Sequence, residues 1–134
     1  MHWYVYHSRK TMGHAYSELA TRVVYSSKQQ PKLCLGDTVW VVEGDERSPA
    51  NFALVDAFVV RATDIPSPVG PYSRFKLAVR GNESLLKRSV PLTSNLAWFA
   101  SLHSRFITKQ RFFASLDVEP EIEFGFRQAA SDAA

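Results

Sequence analysis

Short strand-like segments follow one another along much of the chain, and their order limits the folds available to it. Each is rich in β-branched and aromatic residues and is bounded by polar or glycine- and proline-containing stretches. They cover residues 2–7, 38–43, 52–61 and 72–80, and residues 89–92 add a further extended stretch. Strands in series favour an antiparallel or mixed sheet over a doubly wound parallel one. We therefore expect a small curled sheet or barrel flanked by helices.

Helical and terminal segments complete the predicted order. Apolar residues spaced three and four apart predict a helix over 16–23, another over 94–106 and a short one over 108–116. Alternating apolar residues at 122–126 predict a last strand, and the small residues of 129–134 predict a frayed C-terminal tail.

One domain is expected, spanning residues 1–128, because 134 residues can bury a core without metal or disulfide support. We predict an α+β fold with about five to six mostly antiparallel strands and two to three helices. The single cysteine, Cys34, has no internal disulfide partner, which favours a reducing compartment and a cytoplasmic location. No apolar run approaches the roughly 18 residues of a membrane helix, so no membrane partner is expected.

Positive charge is concentrated in the middle of the chain. Residues 1–73 carry seven basic and seven acidic residues, 74–111 carry eight and one, and 112–134 carry one and five. A segment this one-sided predicts a surface for a polyanion, unless the acidic end folds back and neutralises it. The predicted phosphate contacts are Arg74, Lys76, Arg80, Lys87, Arg88, Arg105, Lys109 and Arg111.

Motifs for catalysis or metal binding are absent from the sequence. The histidines and the single cysteine show no CxxC or HxxxH spacing, there is no GxSxG motif, and the six glycines form no GxGxxG or Walker pattern. We therefore predict no metal, no cofactor and no enzyme activity. The carboxylates Glu43, Asp45 and Glu46 leave acid–base chemistry open, although a solvated acidic turn is the simpler interpretation.

Aromatic residues are the other notable group. Stacking of an unpaired base on an aromatic ring is worth roughly 1–3 kcal/mol, and basic residues neutralise the neighbouring phosphates. A single tryptophan in a strand is more often part of the core. Together with the basic segment, however, the aromatic group predicts binding of DNA or RNA. Its members are Trp3, Tyr4, Tyr6, Trp40, Tyr72, Trp98 and Phe99.

Several stretches resemble the EVE domains and their PUA-like relatives, a group that includes YTH and ASCH domains. The opening strand at 2–8 runs into a polar loop, and Gly-Asp then opens the hydrophobic stretch 36–45. A third hydrophobic strand follows at 54–60. Residues 89–92 and Trp98 resemble the proline and tryptophan stretch near the end of that fold.

The resemblance implies a small PUA-like barrel that binds DNA or RNA and holds a flipped base, often a methylated cytosine or adenine. Some family members are the reading half of modification-dependent restriction systems, so a nuclease or another protein is a second candidate partner. A protein-interaction module, or a small nuclease or hydrolase using His7 and the acidic loop, are the alternatives. The implied base pocket comprises His7, Ser8, Arg9, Glu43, Gly44 and Asp45, with Trp40 and Trp98 as walls.

Overall fold

The computed structural model describes residues 1–19, 21–45 and 51–132, except for the side chain of Asp45. Within these residues the chain forms eight strands and three α-helices. The strands are β1 His2–Ser8, β2 Val23–Ser26, β3 Thr38–Asp45, β4 Asn51–Val59, β5 Ala62–Asp64, β6 Leu77–Arg80, β7 Val90–Leu92 and β8 Phe113–Ser115. The helices are α1 Arg9–Met12, α2 Phe99–Leu102 and α3 Pro120–Asp132, with a 3₁₀ turn at Tyr16–Glu18 and a π-helical turn at His103–Ile107.

The strands form two sheets. The five-stranded sheet has the order β7-β4-β3-β1-β8, and the three-stranded sheet has the order β2-β6-β5. β1 and β3 pair in parallel, and the five other strand pairs are antiparallel. The predicted α+β class is confirmed, but with eight strands in place of five to six. The additional strands have only three or four residues, which is too short for alternation to reveal them.

The parallel pairing of β1 and β3 requires the chain to return from the end of one strand to the start of the other. The return segment, residues 9–37, contains α1, the 3₁₀ turn and β2. Ser8 begins α1 as its N-cap, because its Oγ accepts a hydrogen bond from the backbone N of Thr11 at 3.1 Å. Gly13 ends α1 with a φ of 81°. The polar stretch expected as a loop is therefore a one-turn helix.

Both faces of the five-stranded sheet are buried, because successive residues of a strand point to opposite sides. One face meets the three-stranded sheet in the inter-sheet core, which includes Trp3, Val5, Val24, Val39, Val41, Phe58 and Val79. The other meets the helices in the helix-side core, which includes Tyr4, Trp40, Val42, Leu54, Leu102, Phe106, Ile122 and Phe126. Each fully buried valine, leucine, isoleucine or phenylalanine side chain in these cores stabilises the fold by roughly 1.5–3 kcal/mol. β4 is covered on both sides, as its nearly continuous apolar sequence predicts.

Two predicted elements in the first 80 residues are shorter or different in the structure. The helix predicted over 16–23 is not formed, because Tyr16–Glu18 make the 3₁₀ turn and Val23 begins β2. Val23 and Val24 are buried, and packing of β-branched residues between the sheets outweighs their helical spacing. The strand predicted over 72–80 is confined to β6, since residues 71–74 form a turn.

The segment after residue 94 differs most from the prediction. The helix predicted over 94–106 is limited to α2 and the π-helical turn. Residues 113–115, predicted to be helical, form β8, which pairs antiparallel with β1 from Trp3 to Val5. The aromatic residues Phe112 and Phe113 could pack from either a strand or a helix. The edge of β1 that faces away from β3 favours the strand.

The last predicted strand is a helix. In α3, Ile122, Phe126 and Ala129 recur at helical spacing and are buried, while Phe124 is 65% exposed. Residues 129–132 continue α3, contrary to the frayed tail that we expected, because Ala129 packs in the helix-side core. Residues 133–134 lie outside the described part. No helix of the described residues has the length and apolar character needed to cross a membrane.

Candidate functional site

A groove of about 780 Å³ lies between β2 and β8, which are edge strands of the two different sheets. Its floor includes Trp3, Val5 and His7, which alternate along β1 and so share one face of that strand. Ligand sites in proteins have volumes of roughly 300–1,000 Å³. The groove therefore has room for a nucleotide-sized ligand.

Aromatic rings line both sides of the groove. Tyr25 and Phe75 lie on the side of the three-stranded sheet, with stacked ring centroids 5.4 Å apart. Phe112 and Phe113 lie on the side of β8. Phe112 is 49% exposed and stacks on Tyr6 at 5.8 Å. A flat ligand in the groove would thus find partly exposed rings on either side.

Positive charge also lines the groove from both sides. Lys28 and Lys32 follow β2, whereas Lys109 and Arg111 precede β8, and all four are exposed. Among the described lining residues, Asp117 is the one carboxylate. Four cationic side chains against one anionic side chain give the groove a positive potential that favours an anionic ligand.

The turn that presents Lys109 and Arg111 has a defined backbone shape. Gln110 lies between them with a φ of 54°, in the left-handed region. The backbone N of Gln110 donates to the carbonyl of Ile107 at 3.1 Å. The backbone N of Arg111 donates to the carbonyl of Phe106 at 3.0 Å. The guanidinium carbon of Arg111 lies 5.8 Å from the ring centroid of Phe106. These contacts fix where the two cations emerge beside the groove.

His7 is the titratable side chain on the groove floor and is 6% exposed. Its Nε2 lies 2.9 Å from the backbone O of His14 and 3.9 Å from Oε2 of Glu43. Burial lowers the pKa of His7 and outweighs the hydrogen bond to His14 and the Glu43 carboxylate, which both raise it. The imidazole is therefore neutral near pH 7.

The structure brings His7, Ser8, Arg9 and Glu43 together, as predicted for the base pocket, but gives them different roles. Oε2 of Glu43 accepts a 2.6 Å hydrogen bond from the backbone N of Tyr16, and its Oε1 lies 4.0 Å from Nε of Arg9. His7 and Ser8 line the groove, whereas Glu43 and Arg9 are outside its lining. Glu43 therefore positions the return segment.

The two tryptophans predicted to wall the pocket lie elsewhere. Trp40 stacks on Phe126 with centroids 5.5 Å apart, and Trp98 meets the same ring edge-on at 5.3 Å. Trp40 belongs to the helix-side core and Trp98 packs against it, so both lie on the opposite face of the sheet from His7. Alternation along β3 explains the separation, since Trp40 and Glu43 point to opposite faces.

Gly44 has a packing role on that same helix-facing side. A Cβ at this position would lie 1.7 Å from the hydroxyl of Tyr6, so only glycine leaves room for the Tyr6 ring. β3 continues to Asp45, whose side chain lies outside the described residues. Glu46, the last carboxylate of the predicted acidic loop, is likewise outside them, whereas Glu43 belongs to β3.

Two of the eight predicted phosphate contacts, Lys109 and Arg111, line the groove. Arg74 is not a lining residue but contacts two residues that are. The guanidinium carbon of Arg74 sits 4.6 Å from the ring centroid of Phe75, a lining residue, and its Nη2 donates to the carbonyl of Thr11 at 3.4 Å.

The other five predicted contacts are outside the groove. Nε of Arg80 pairs with Asp64 at 3.1 Å, and Arg105 is bonded to Glu119. The acidic C-terminal part therefore neutralises one member of the basic segment, which is the alternative that the charge pattern left open. The remaining members are exposed and do not line the groove: Lys76, Lys87 and Arg88.

Sequence reasoning missed four prominent groove residues. Lys28 and Lys32 lie in the half of the chain whose net charge is zero, so a segment-wide count conceals them. Tyr25 and Phe112 were assigned to no site, although each stands close to a basic residue in sequence. Aromatic residues near lysine or arginine on both sides of one groove would have been the useful signal.

No three His, Cys, Asp or Glu side chains come together as a metal site within the described ranges. In comparisons with known proteins, no family model, no curated protein and no solved structure matches this chain.

Proposed function

We propose that this protein binds DNA or RNA through the groove and takes up one unpaired or flipped base, including a modified base, between the groove's aromatic walls. The observation that best supports this proposal is the combination of partly exposed rings and four cations in one nucleotide-sized groove. Stacking supplies roughly 1–3 kcal/mol per base, which offsets the few kcal/mol that extrusion of a base costs.

The arrangement of charge fits a strand that crosses the groove. Lys28 and Lys32 stand on one side, and Lys109 and Arg111 stand on the other. A base held between them would have its flanking phosphates near positive charge in both directions. Each neutralised phosphate releases counterions, so the affinity must fall as salt rises.

We also propose that the two sheets form the curled barrel of a PUA-like, EVE-like domain. The inter-sheet core supports this, because it joins β1, β3 and β4 to β2 and β6. In such a barrel the groove would be an open seam between β2 and β8. An experimental structure in which the two sheets did not enclose the inter-sheet core would contradict the barrel.

Fluorescence polarisation tests the binding proposal directly. Matched single-stranded and duplex DNA and RNA oligonucleotides are titrated at two or more salt concentrations, unmodified or carrying 5-methylcytosine, 5-hydroxymethylcytosine or N6-methyladenine. We expect single-stranded or modified oligonucleotides to bind and their affinity to weaken with salt. Absence of binding to every oligonucleotide at low salt would contradict the proposal.

A matched pair of double variants locates the site. Replacing Lys109 and Arg111 by alanine removes two groove cations, whereas replacing Lys87 and Arg88 removes the same charge outside the groove. The first variant should reduce the magnitude of the log affinity–log salt slope by about 1.4, the value for two single-strand phosphate contacts. The second should leave the slope nearly unchanged. Equal effects would show nonspecific attraction without a role for the groove.

A second candidate function is binding of an extended peptide. Both β2 and β8 are edge strands, and an added strand could pair with either edge while acidic side chains met the groove cations. Main-chain pairing depends less on salt than phosphate binding does. Binding of an acidic peptide that resists salt, with no oligonucleotide binding, would favour this alternative.

A further inference from the structure

We infer that His7 selects the base, with its Nδ1 accepting a hydrogen bond from an exocyclic amino group. This inference rests on the proposed function and specifies the chemistry of the ligand. The bases concerned are those with an amino group on their pairing edge, as in adenine or cytosine, rather than analogues from which that group is missing.

The hydrogen bond to His14 fixes which ring nitrogen carries the proton. Nε2 of His7 lies 2.9 Å from a backbone carbonyl oxygen, and a carbonyl can only accept. Nε2 is therefore the donor, and in a neutral imidazole Nδ1 is then an acceptor. Burial keeps the pKa of His7 below its ordinary value, so this neutral form is the one present near pH 7.

Nδ1 is also the ring atom that a ligand can reach. The polar contacts of the His7 ring within the described residues all involve Nε2, which faces the His14 carbonyl and, further away, Glu43. Nδ1 makes no hydrogen bond within the described residues, and His7 lines the groove. With Nε2 engaged, Nδ1 is the ring nitrogen left to meet a ligand there.

The groove floor that continues from His7 along β1 is apolar, which makes this acceptor selective. Trp3 and Val5, the neighbouring floor residues on the same face of β1, are apolar and nearly fully buried. A base without an amino group would displace water from Nδ1 and return no hydrogen bond. Leaving a buried polar group unpaired discriminates more strongly than the bond itself stabilises.

Paired oligonucleotides and two variants test the inference. Single strands containing adenine are compared with strands containing purine, and cytosine with 2-pyrimidinone, so that one amino group is the only difference. We expect the protein to bind the better amino-bearing strand about tenfold more tightly than its analogue. In His7→Gln the side-chain amide can still donate to the His14 carbonyl, but no acceptor occupies the Nδ1 position. That preference should fall to about twofold or less, while the salt slope stays the same.

The opposite variant is His7→Asn, whose shorter amide can place an acceptor near the Nδ1 position but cannot reach the His14 carbonyl. It should retain most of the preference and lose stability in urea. A tenfold preference that persists in His7→Gln, or no preference in the unmodified protein, would overturn the inference while salt-dependent binding still supported the proposed function. Absence of binding to all oligonucleotides would overturn both.

Discussion

The hydroxyl of Tyr16 donates a hydrogen bond to the carboxylate of Asp56 across 2.7 Å. The same carboxylate accepts bonds from Nε of Arg22 at 2.6 Å and from Oγ of Ser84 at 2.6 Å. Asp56 lies on β4 and is 2% exposed, whereas Tyr16 and Arg22 belong to the return segment. One buried carboxylate thus attaches the return segment and the chain after β6 to the central sheet.

Removing the Tyr16 hydroxyl should therefore destabilise the protein. We expect Tyr16→Phe to lower the free energy of unfolding by about 1.5–3 kcal/mol, the usual range for a hydrogen bond to a charged group. Urea unfolding monitored by tryptophan fluorescence measures the change. Tyr25→Phe is the control, because the Tyr25 hydroxyl makes no hydrogen bond within the described residues, and it should shift stability by less than about 0.5 kcal/mol. Equal losses in both variants would contradict the role of Asp56.

The same substitution at Tyr4 should have the opposite sign. Tyr4 stacks on Phe106 with centroids 4.8 Å apart, and its hydroxyl is buried with no hydrogen-bond partner among the described residues. Phenylalanine keeps the ring and removes the desolvated hydroxyl. We expect Tyr4→Phe to leave the free energy of unfolding unchanged or raise it by up to about 1 kcal/mol. A loss above about 1 kcal/mol in urea would show that the hydroxyl has a partner such as an internal water.

Stability should fall in mildly acidic solution because of two histidines. Burial is the largest cause that lowers the pKa of both His2 and His7 from the ordinary 6.5. Between the folded and unfolded pKa values, the unfolded chain binds protons that the folded chain does not. The free energy of unfolding is therefore highest above pH 6.5, decreases as the pH falls below it, and levels off below the folded pKa values.

Urea unfolding at several pH values from 7.5 to 5 checks this dependence. His7→Gln removes one of the two titrating groups, so its stability should change less over the same interval. A steeper decrease in His7→Gln than in the unsubstituted protein would contradict the assignment to His7.

Gly125 allows α3 to approach Trp98. A Cβ at position 125 would lie 2.2 Å from the Trp98 ring, which is closer than any real contact. Alanine normally stabilises a helix relative to glycine by up to about 1 kcal/mol, but overpacking here should cost about 1–3 kcal/mol. We expect Gly125→Ala to lower the unfolding midpoint in urea. In a Trp98→Ala background the added alanine should cost little, and an unchanged cost there would mean that another contact is responsible.

The central strands could be predicted from the sequence because local preference and packing agree in them. β1, β3 and β4 consist mainly of β-branched and aromatic residues, and both sides of each are covered in the structure. In the C-terminal part the short apolar runs suit either a strand or a helix. There the choice depends on which surfaces remain uncovered, namely the edge of β1 for residues 113–115 and the helix-facing side of the sheet for α3.

The candidate site was predictable only in part. The closeness of His7 and Glu43 follows from two strands that end together, and their register is direct. Trp40 was assigned to the wrong face, although its odd separation from Glu43 in the strand already placed the two side chains on opposite sides. Lys28 and Lys109 line the same groove because two segments that are distant in sequence fold next to each other. No local sequence pattern predicts this.

The parallel pairing of β1 with β3 has a consequence for how this protein can change over evolution. A hairpin would have joined antiparallel strands directly, whereas the parallel arrangement requires the return segment. The return segment supplies β2, which forms one side of the groove, and two of the four groove cations. Insertions or substitutions in the return segment can therefore change the ligand preference, while the central strands keep the sequence that folds them.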